Sequence, residues 1–286
     1  MRKVNPLGRS GNRRAFFRAR LLRGAVFAAA AAVVFIAGAL IGKILAGGLP
    51  YLSFRDFLPD GKDEAGNLFA PLLNTVRMTA AALILAVPAG IFAAVYLTEY
   101  VGEASRSAAA VRLASETLAG IPSIVYGLFG FLFFSVFAGL GYSLFSGAAT
   151  LALMTLPLIL RQTEEALTAV PHSYREGSLG LGAGRWRTIV RVVLPAAAPG
   201  IAAGILLAVG RMVGETAALL YTAGTASGAA QSLLASGRTL AVHLYALFSE
   251  GLFPEEAKAA AAAILLLAIA TNLTAELLFR RQHGRK

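Results

Sequence analysis

The sequence contains no cysteine, and charged residues are scarce. Its 286 residues include three histidines and only 14% charged side chains. The lack of cysteine excludes disulfides, iron–sulfur clusters and thiolate nucleophiles. His172, His243 and His283 are far apart in the sequence and are not matched by carboxylate ligands, so we expect no metal site. No combination of serine, histidine and aspartate suggests a nucleophile, so we expect no catalytic residue in this chain.

Apolar residues dominate the composition instead. They make up 57% of the chain, whereas soluble domains carry about 25% charged residues. A transmembrane helix needs about 20 predominantly apolar residues. The apolar segments therefore predict an all-α integral membrane protein with six transmembrane helices, at residues 24–46, 76–98, 113–138, 147–162, 195–222 and 258–279.

The basic residues are distributed unevenly between these segments. The formal net charge is +11, and 19 of the 26 lysines and arginines lie in 1–23, in 99–112, in 161–191 or after Phe279. Five lie in the opposite connections. Because the cytoplasmic loops of membrane proteins are enriched in Lys and Arg, this pattern predicts that both termini are cytoplasmic. The basic character is then an orientation signal for a protein embedded in lipid, and it does not indicate nucleic acid binding.

The predicted helices divide the chain into three regions. Residues 1–23 form a basic cytoplasmic tail, and residues 24–75 form the first transmembrane helix and an external linker. Residues 76–286 form a transmembrane domain, which includes a long cytoplasmic loop at about 161–194. A half-apolar stretch at 239–253 predicts a short helix at the outer surface.

The long loop carries the most informative motif. Residues 176–195 read EGSLGLGAGRWRTIVRVVLP, and their spacing resembles the coupling motif of ABC-importer permeases. The matching positions are Glu176, Gly177, Ser178, Gly182, Val192, Leu194 and Pro195. Small residues let a partner surface approach closely, Gly182 can end a helix with positive φ, and Pro195 can open the next helix. The motif indicates docking to a separate ATPase; the alternative is a solvated basic loop with a glycine turn.

Two charged residues lie inside the predicted fifth span. Arg211 and Glu215 each cost roughly 2.5–3.5 kcal/mol in a membrane helix, so they should face the bundle interior or a water-filled path. Four residues apart on a helix, they share one face and can pair. One interpretation is an anion path in which Arg211 attracts the anion and Glu215 holds the arginine in place. The alternative is an ion pair that locks two helices together.

Proline interrupts the predicted third span. Pro122, in the sequence AGIPSIVYG, removes a backbone hydrogen bond and predicts a break or kink in the helix. Ser123 and Tyr126 place hydroxyl groups near that break. These two residues are candidates for lining a substrate path, and a kink that serves packing alone is the alternative.

The chain has no ATP-binding motif of its own. The stretch GALIGKI at 38–44 is one residue too short for a phosphate-binding loop and lacks the Ser or Thr that would hold magnesium. We therefore expect no cofactor in this chain. Energy for uphill transport would have to come from another subunit.

Three segments together resemble one family. LAGIPSIVYGLFG, the coupling loop and GRMVGETAALLYTAG are similar to the permease subunits of the phosphate-specific ABC importer, the A-type permease in particular. The resemblance covers about residues 70–280. It implies a type I importer (MetI-like) permease fold in a bacterial or archaeal inner membrane. It also implies that Arg211 and Glu215 match the intramembrane charged pair of these permeases.

The same resemblance implies a set of partners. These are a C-type permease as heterodimer partner, two cytoplasmic ABC ATPases that bind ATP and magnesium, and an extracytoplasmic phosphate-binding protein. Two alternatives remain open. One is an ABC importer for another oxyanion, such as molybdate, sulfate or phosphonate; the other is a passive anion channel or a structural membrane scaffold.

Overall fold

A computed structural model describes residues 13–59, 65–101, 105–251 and 253–283. Within these residues all regular secondary structure is helical. The helices are α1 (Arg13–Gly48), α2 (Phe69–Val95), α3 (Arg106–Ala119), α4 (Ser123–Gly130), α5 (Leu144–Thr168), α6 (His172–Gly180), α7 (Arg185–Thr188), α8 (Leu194–Val213), α9 (Ala217–Thr222), α10 (Leu240–Glu250) and α11 (Pro254–His283). Wider π-helical turns extend α2 and α4 and join α7 to α8, at Tyr96–Val101, Phe131–Phe137 and Ile189–Val193.

Two compact units make up the chain. Helix α1 as far as Gly47 belongs to one unit, and the chain from Gly48 onward forms the other. Residues 1–12 of the predicted basic tail lie outside the described residues. From Arg13 onward the tail is already helical and continues without a break into the apolar span. The division proposed from the sequence, with the linker grouped with the first helix, stays a prediction.

Within the part of the chain that the structure describes, five helices are long and apolar enough to cross a membrane. They are Ala19–Tyr51, Phe69–Val101, Leu144–Thr168, Arg185–Val213 and Pro254–Thr274. A sixth span results when α3 and α4 with its extension are counted together. The prediction of an all-helical membrane protein with up to six spans is confirmed.

The span formed by α3 and α4, which corresponds to the predicted third span, is sharply bent. Helices α3 and α4 meet at an angle of 99°, and the break falls at Gly120 and Ile121, just before Pro122, which caps α4. A proline disfavours helical conformation in the residue before it, so the helix ends there. The predicted break is confirmed, and the predicted span 113–138 is divided between α3, which begins earlier at Arg106, and α4 with its extension to Phe137.

The span that contains α8, which was predicted as the fifth at 195–222, differs from its prediction at both ends. It begins at Arg185, ten residues before Pro195, and ends at Val213 instead of residue 222. Pro195 lies in the first turn of α8, as predicted, where its missing N–H costs nothing, and the π-helical turn Ile189–Val193 and α7 extend the span back to Arg185. At the other end, Gly214 lacks a side chain and favours termination, and a short separate helix, α9, follows.

Helix α5 forms the centre of the second unit. Most of its side chains are buried, and it packs along α2, where Met78, Ala82 and Ala86 share a core with Leu151 and Met154. A second cluster joins the end of α5 to the segment after α6, through Leu167, Val170, Ile189, Val193 and Ile201. The chain segments on either side of α6 are therefore anchored in one buried cluster.

The predicted short helix at 239–253 is α10, and it contains a buried histidine. The Nε2 of His243 lies 3.2 Å from the carbonyl oxygen of Ala65. Burial, together with the positive charge of Arg238, lowers the pKa of His243 to about 4. The imidazole is therefore neutral near pH 7 and donates a hydrogen bond to Ala65.

This histidine predicts a loss of stability in mild acid. The unfolded chain protonates His243 near pH 6.5, whereas the folded chain does so only near pH 4. Between these values the unfolded state binds more protons, so the free energy of unfolding falls as the pH falls, by about 2 kcal/mol at pH 5. The midpoint of thermal unfolding in detergent should decline from pH 7.5 to pH 5 more steeply in the native protein than in His243→Gln. Parallel profiles would contradict this assignment.

Candidate functional site

A cavity of about 350 Å³ lies between α3, α5 and α8. Its charged lining is contributed by Arg112, Glu116, Arg161, Glu164, Glu165 and Arg211. The rest of the wall is formed by Ser115 and Ala119 of α3 and by apolar residues of α5, including Met154, Pro157 and Leu158. Three guanidinium groups around one cavity suit an anion, since Arg offers forked hydrogen bonds to carboxylate and phosphate oxygens.

Two of these arginines already have carboxylate partners. Arg112 Nη2 lies 3.1 Å from Glu164 Oε1, with both side chains mostly buried. Arg161 Nε lies 3.2 Å from Glu165 Oε1 in an exposed pair one helical turn apart. Among the described residues, no carboxylate forms an ion pair with Arg211, whose side chain is exposed. Outside these two pairs the cavity lining has one cation, Arg211, and one carboxylate, Glu116, so Arg211 is the guanidinium available to an anionic ligand.

Glu215 does not contact Arg211. Helix α8 ends between them at Val213, and Glu215 Oε1 instead accepts a hydrogen bond of 3.2 Å from the Ala218 N–H at the start of α9. The prediction that the two residues share one helix face and pair is wrong, because it assumed an uninterrupted helix. An ion pair that locks two helices has no basis in this geometry. Glu215 positions α9 and does not hold Arg211.

Tyr126 and Ser123 lie at the bend, outside the wall of this cavity. The buried Tyr126 hydroxyl donates a hydrogen bond of 2.9 Å to the Leu118 carbonyl and so ties α4 back to α3. A hydrogen bond between the two helices of the bend is expected if the kink serves packing. Ser123 is half-buried. A path-lining role for either residue stays a prediction.

Sequence reasoning missed four of the charged residues around the cavity. Arg112, Arg161, Glu164 and Glu165 fell in predicted cytoplasmic segments, where basic residues were interpreted as orientation signals. A signal for them was present in the helical period. From Met154 onward, cavity residues of α5 recur every three or four positions into the loop, as expected for one face of a helix that continues past the predicted end of the span.

The segment that carries the coupling motif, which comprises α6, the turn at Gly182 and α7 and is called the coupling segment below, has the predicted local structure. Helix α6 ends at Gly180, and Gly182 follows with a φ of +84°. The N–H of Gly182 donates to the Leu179 carbonyl at 2.9 Å, and that of Ala183 donates to Ser178 at 3.2 Å. These two bonds form a Schellman motif, which satisfies carbonyls at the helix end. The predicted helix and glycine turn from Glu176 to Gly182 are confirmed.

The surface of this segment is unusually apolar for a polar loop. Glu176 and Gly177 are exposed, and four large side chains beside them are at least half exposed: Tyr174, Leu179, Leu181 and Trp186. Leu181 is 91% exposed. Leu194 instead packs into the buried cluster around Ile189, and Pro195 is exposed. Exposed apolar residues of this kind mark a surface that contacts another protein or the membrane.

Residues 86–285 match the model of the binding-protein-dependent transport system inner membrane component. The chain is 31% identical over 274 residues to the probable ABC transporter permease protein YqgI of Bacillus subtilis, covering 90% of this chain and 93% of that protein. It is 43% identical over 173 residues to the phosphate transport system permease protein PstA 1 of Mycobacterium tuberculosis, covering 60% of this chain and 55% of that relative's length.

Solved structures show the same fold. A chain of the bacterial alginate ABC transporter, in complex with an alginate pentasaccharide-bound periplasmic protein, superimposes with a TM-score of 0.61 at 17% identity, covering 97% of this chain and 98% of that one. A chain of the MetNI methionine ABC transporter in an inward-facing conformation gives 0.58 at 18% identity, covering 75% and 93%. The predicted type I importer permease fold is confirmed.

Proposed function

Since this chain belongs to the inner membrane components of binding-protein-dependent transport systems, we propose that it is the A-type permease subunit of an ATP-driven phosphate importer. The similarity to phosphate transport system permeases, at 40–43% identity over the shared region, supports phosphate as the cargo. The observation that carries the proposal is Arg211, an exposed cation in a cavity whose other two arginines form ion pairs with Glu164 and Glu165.

The cavity geometry suits a phosphate that has lost part of its hydration shell. Coulomb attraction strengthens as the local dielectric constant falls, so a fixed cation lowers the cost of dehydrating the anion. Arg211 attracts the anion, while Arg112 and Arg161 are each neutralised by a carboxylate partner. A transport path must also release its ion, and the carboxylates of Glu116, Glu164 and Glu165 oppose tight retention.

The proposed partners follow from the coupling segment and the family. A C-type permease completes the path as a heterodimer, two ABC ATPases with ATP and magnesium dock on α6, and an extracytoplasmic phosphate-binding protein delivers the cargo. The exposed side chains of Tyr174, Leu179 and Leu181 provide the apolar part of the ATPase contact. This chain itself is a transporter subunit in the cell membrane of a bacterium or archaeon.

The proposal is tested by uptake of radiolabelled phosphate. Deleting this chain from cells that depend on it should abolish ATP-dependent phosphate uptake, and plasmid expression should restore it. Competition separates the alternatives: excess sulfate, molybdate or phosphonate should leave phosphate uptake unchanged. Inhibition by one of these anions would assign that cargo instead, and uptake that persists without ATP would indicate a channel.

Both termini are proposed to be cytoplasmic, with α6 on the same side. Because the native chain lacks cysteine, single cysteines report orientation directly. Leu181→Cys, at the exposed tip after α6, should react with a membrane-impermeant maleimide only in inverted vesicles. Phe54→Cys, 80% exposed in the linker before α2, should react in intact cells. The reverse pattern would overturn the orientation.

A further inference from the structure

One arginine of α6, the first helix of the coupling segment, is turned inward. Arg175 lies on α6 directly before Glu176, yet only 16% of its side chain is exposed, and its partner Glu99 is 9% exposed. Arg175 Nη2 and Nε lie 2.7 Å and 3.0 Å from Glu99 Oε1, and Nε also lies 3.3 Å from Oε2. Such buried, charge-assisted contacts are short and strongly oriented, unlike an exposed surface pair.

The same guanidinium also binds the end of a second helix. Arg175 Nη1 donates to the Val170 carbonyl at 2.8 Å, and Nη2 donates to the Leu167 carbonyl at 3.0 Å. Leu167 belongs to the last turn of α5, where its carbonyl also accepts from the Val170 N–H at 3.2 Å, and Val170 lies just after the helix end. Glu99 belongs to the π-helical end of α2. One side chain of α6 thus joins the ends of α2 and α5.

A second arginine, on α7 after the turn at Gly182, contacts the same end of α2. Arg185 Nη2 donates to the main-chain carbonyl of Glu99, and its guanidinium lies over the Tyr100 ring, 4.9 Å from the centroid. The hydroxyl oxygens of Ser178 and Thr188 lie 2.9 Å apart and tie α6 to α7. The coupling segment therefore contacts the end of α2 through two arginines, and a hydroxyl contact connects its own two helices.

We propose that the Glu99–Arg175 pair is the linkage through which a displacement of α6 moves the ends of α2 and α5 together. This inference rests on the proposed ATP-driven import. Helix α5 carries Arg161, Glu164 and Glu165 into the cavity, so a shift of its end changes the cavity lining. Glu99 and Arg175 are positioning residues: they do not line the cavity, and they are less exposed than the apolar side chains that surround Glu176.

The linkage is tested with the full complex in proteoliposomes, by measuring phosphate uptake and ATP hydrolysis on the same preparation. Glu99→Gln removes the charge, and Arg175→Lys keeps the charge but cannot reach two oxygens and two carbonyls at once. Both variants should keep hydrolysing ATP, while the phosphate imported per ATP falls roughly tenfold. Arg106→Gln is the matched control: it removes one exposed positive charge at the start of α3 and should leave that ratio unchanged.

A chemical cross-link separates a mechanical role from a folding role. Glu99→Cys/Arg175→Cys should be as uncoupled as Glu99→Gln, and a reducible bis-methanethiosulfonate linker between the two thiols should restore the ratio until it is reduced. Cross-linking that leaves the ratio low, or a Glu99→Gln complex that imports at the native ratio, would overturn the linkage. A native complex that imports no phosphate would instead refute the proposed function.

Discussion

Replacing Arg211 with glutamine is expected to abolish phosphate uptake while leaving the complex assembled. Arg211 is exposed and forms no ion pair among the described residues, so its removal leaves no buried carboxylate without a partner. The anion, in contrast, loses the available cation of the cavity. Each hydrogen bond to a charged group contributes about 1.5–3 kcal/mol, so loss of the forked pair corresponds to roughly a hundredfold loss in rate or more. Initial rates of phosphate uptake, normalised to the amount of purified complex, measure this effect.

Companion variants distinguish attraction of the anion from a structural role. Arg211→Lys keeps the charge but loses the forked hydrogen bonds, so uptake should be intermediate. Glu215→Gln should have a small effect, because the amide oxygen still accepts from Ala218 and the start of α9 stays capped. The double variant Arg211→Gln/Glu215→Gln should then resemble Arg211→Gln alone. Recovery of uptake in the double variant would show that the two charges act as a lock.

The local features of the fold were readable from the sequence. The spans followed from apolar runs, the break in the third span from Pro122, and the positive φ of Gly182 from its place after a short helix. Each of these depends on a few neighbouring residues whose conformational limits are intrinsic: a proline without an N–H, a glycine without a Cβ, and side chains that prefer lipid to water.

What the sequence did not reveal depends on contacts between distant residues. Arg175 and Glu99 are 76 positions apart, and nothing in either local pattern indicates the other. Glu215 was assigned to Arg211 because helical spacing allowed it, but the helix ends at Val213. Propensity at Gly214 and packing of α9 decided between two conformations of similar local cost, and tertiary contacts of this kind are not encoded in a window of a few residues.

Replacing Gly182 with valine is expected to eliminate ATP-driven uptake while the subunit still inserts and α5 still packs. A Cβ at Gly182 would meet no atom within 4 Å, so the substitution introduces no clash. The cost comes from φ, which is +84°. Left-handed backbone costs roughly 1–2 kcal/mol for an ordinary residue and more for a β-branched one.

That strain acts on the two hydrogen bonds that close α6, from Gly182 to Leu179 and from Ala183 to Ser178. If they open, the last turn of α6 unwinds and the exposed Leu181 moves away from its place beside Glu176, so the ATPase surface is lost.

Gly182→Asn should retain most uptake, because asparagine tolerates positive φ, and Gly182→Ala should fall between the two. Gly184→Val is the matched control, since that glycine is also uncrowded but has an extended backbone with a φ of −73°, which valine adopts freely. Copurification of the ATPase and phosphate uptake should therefore decline together in the order Asn, Ala, Val at position 182 and stay native in Gly184→Val. Full uptake by Gly182→Val would show that the conformation of this turn does not determine coupling.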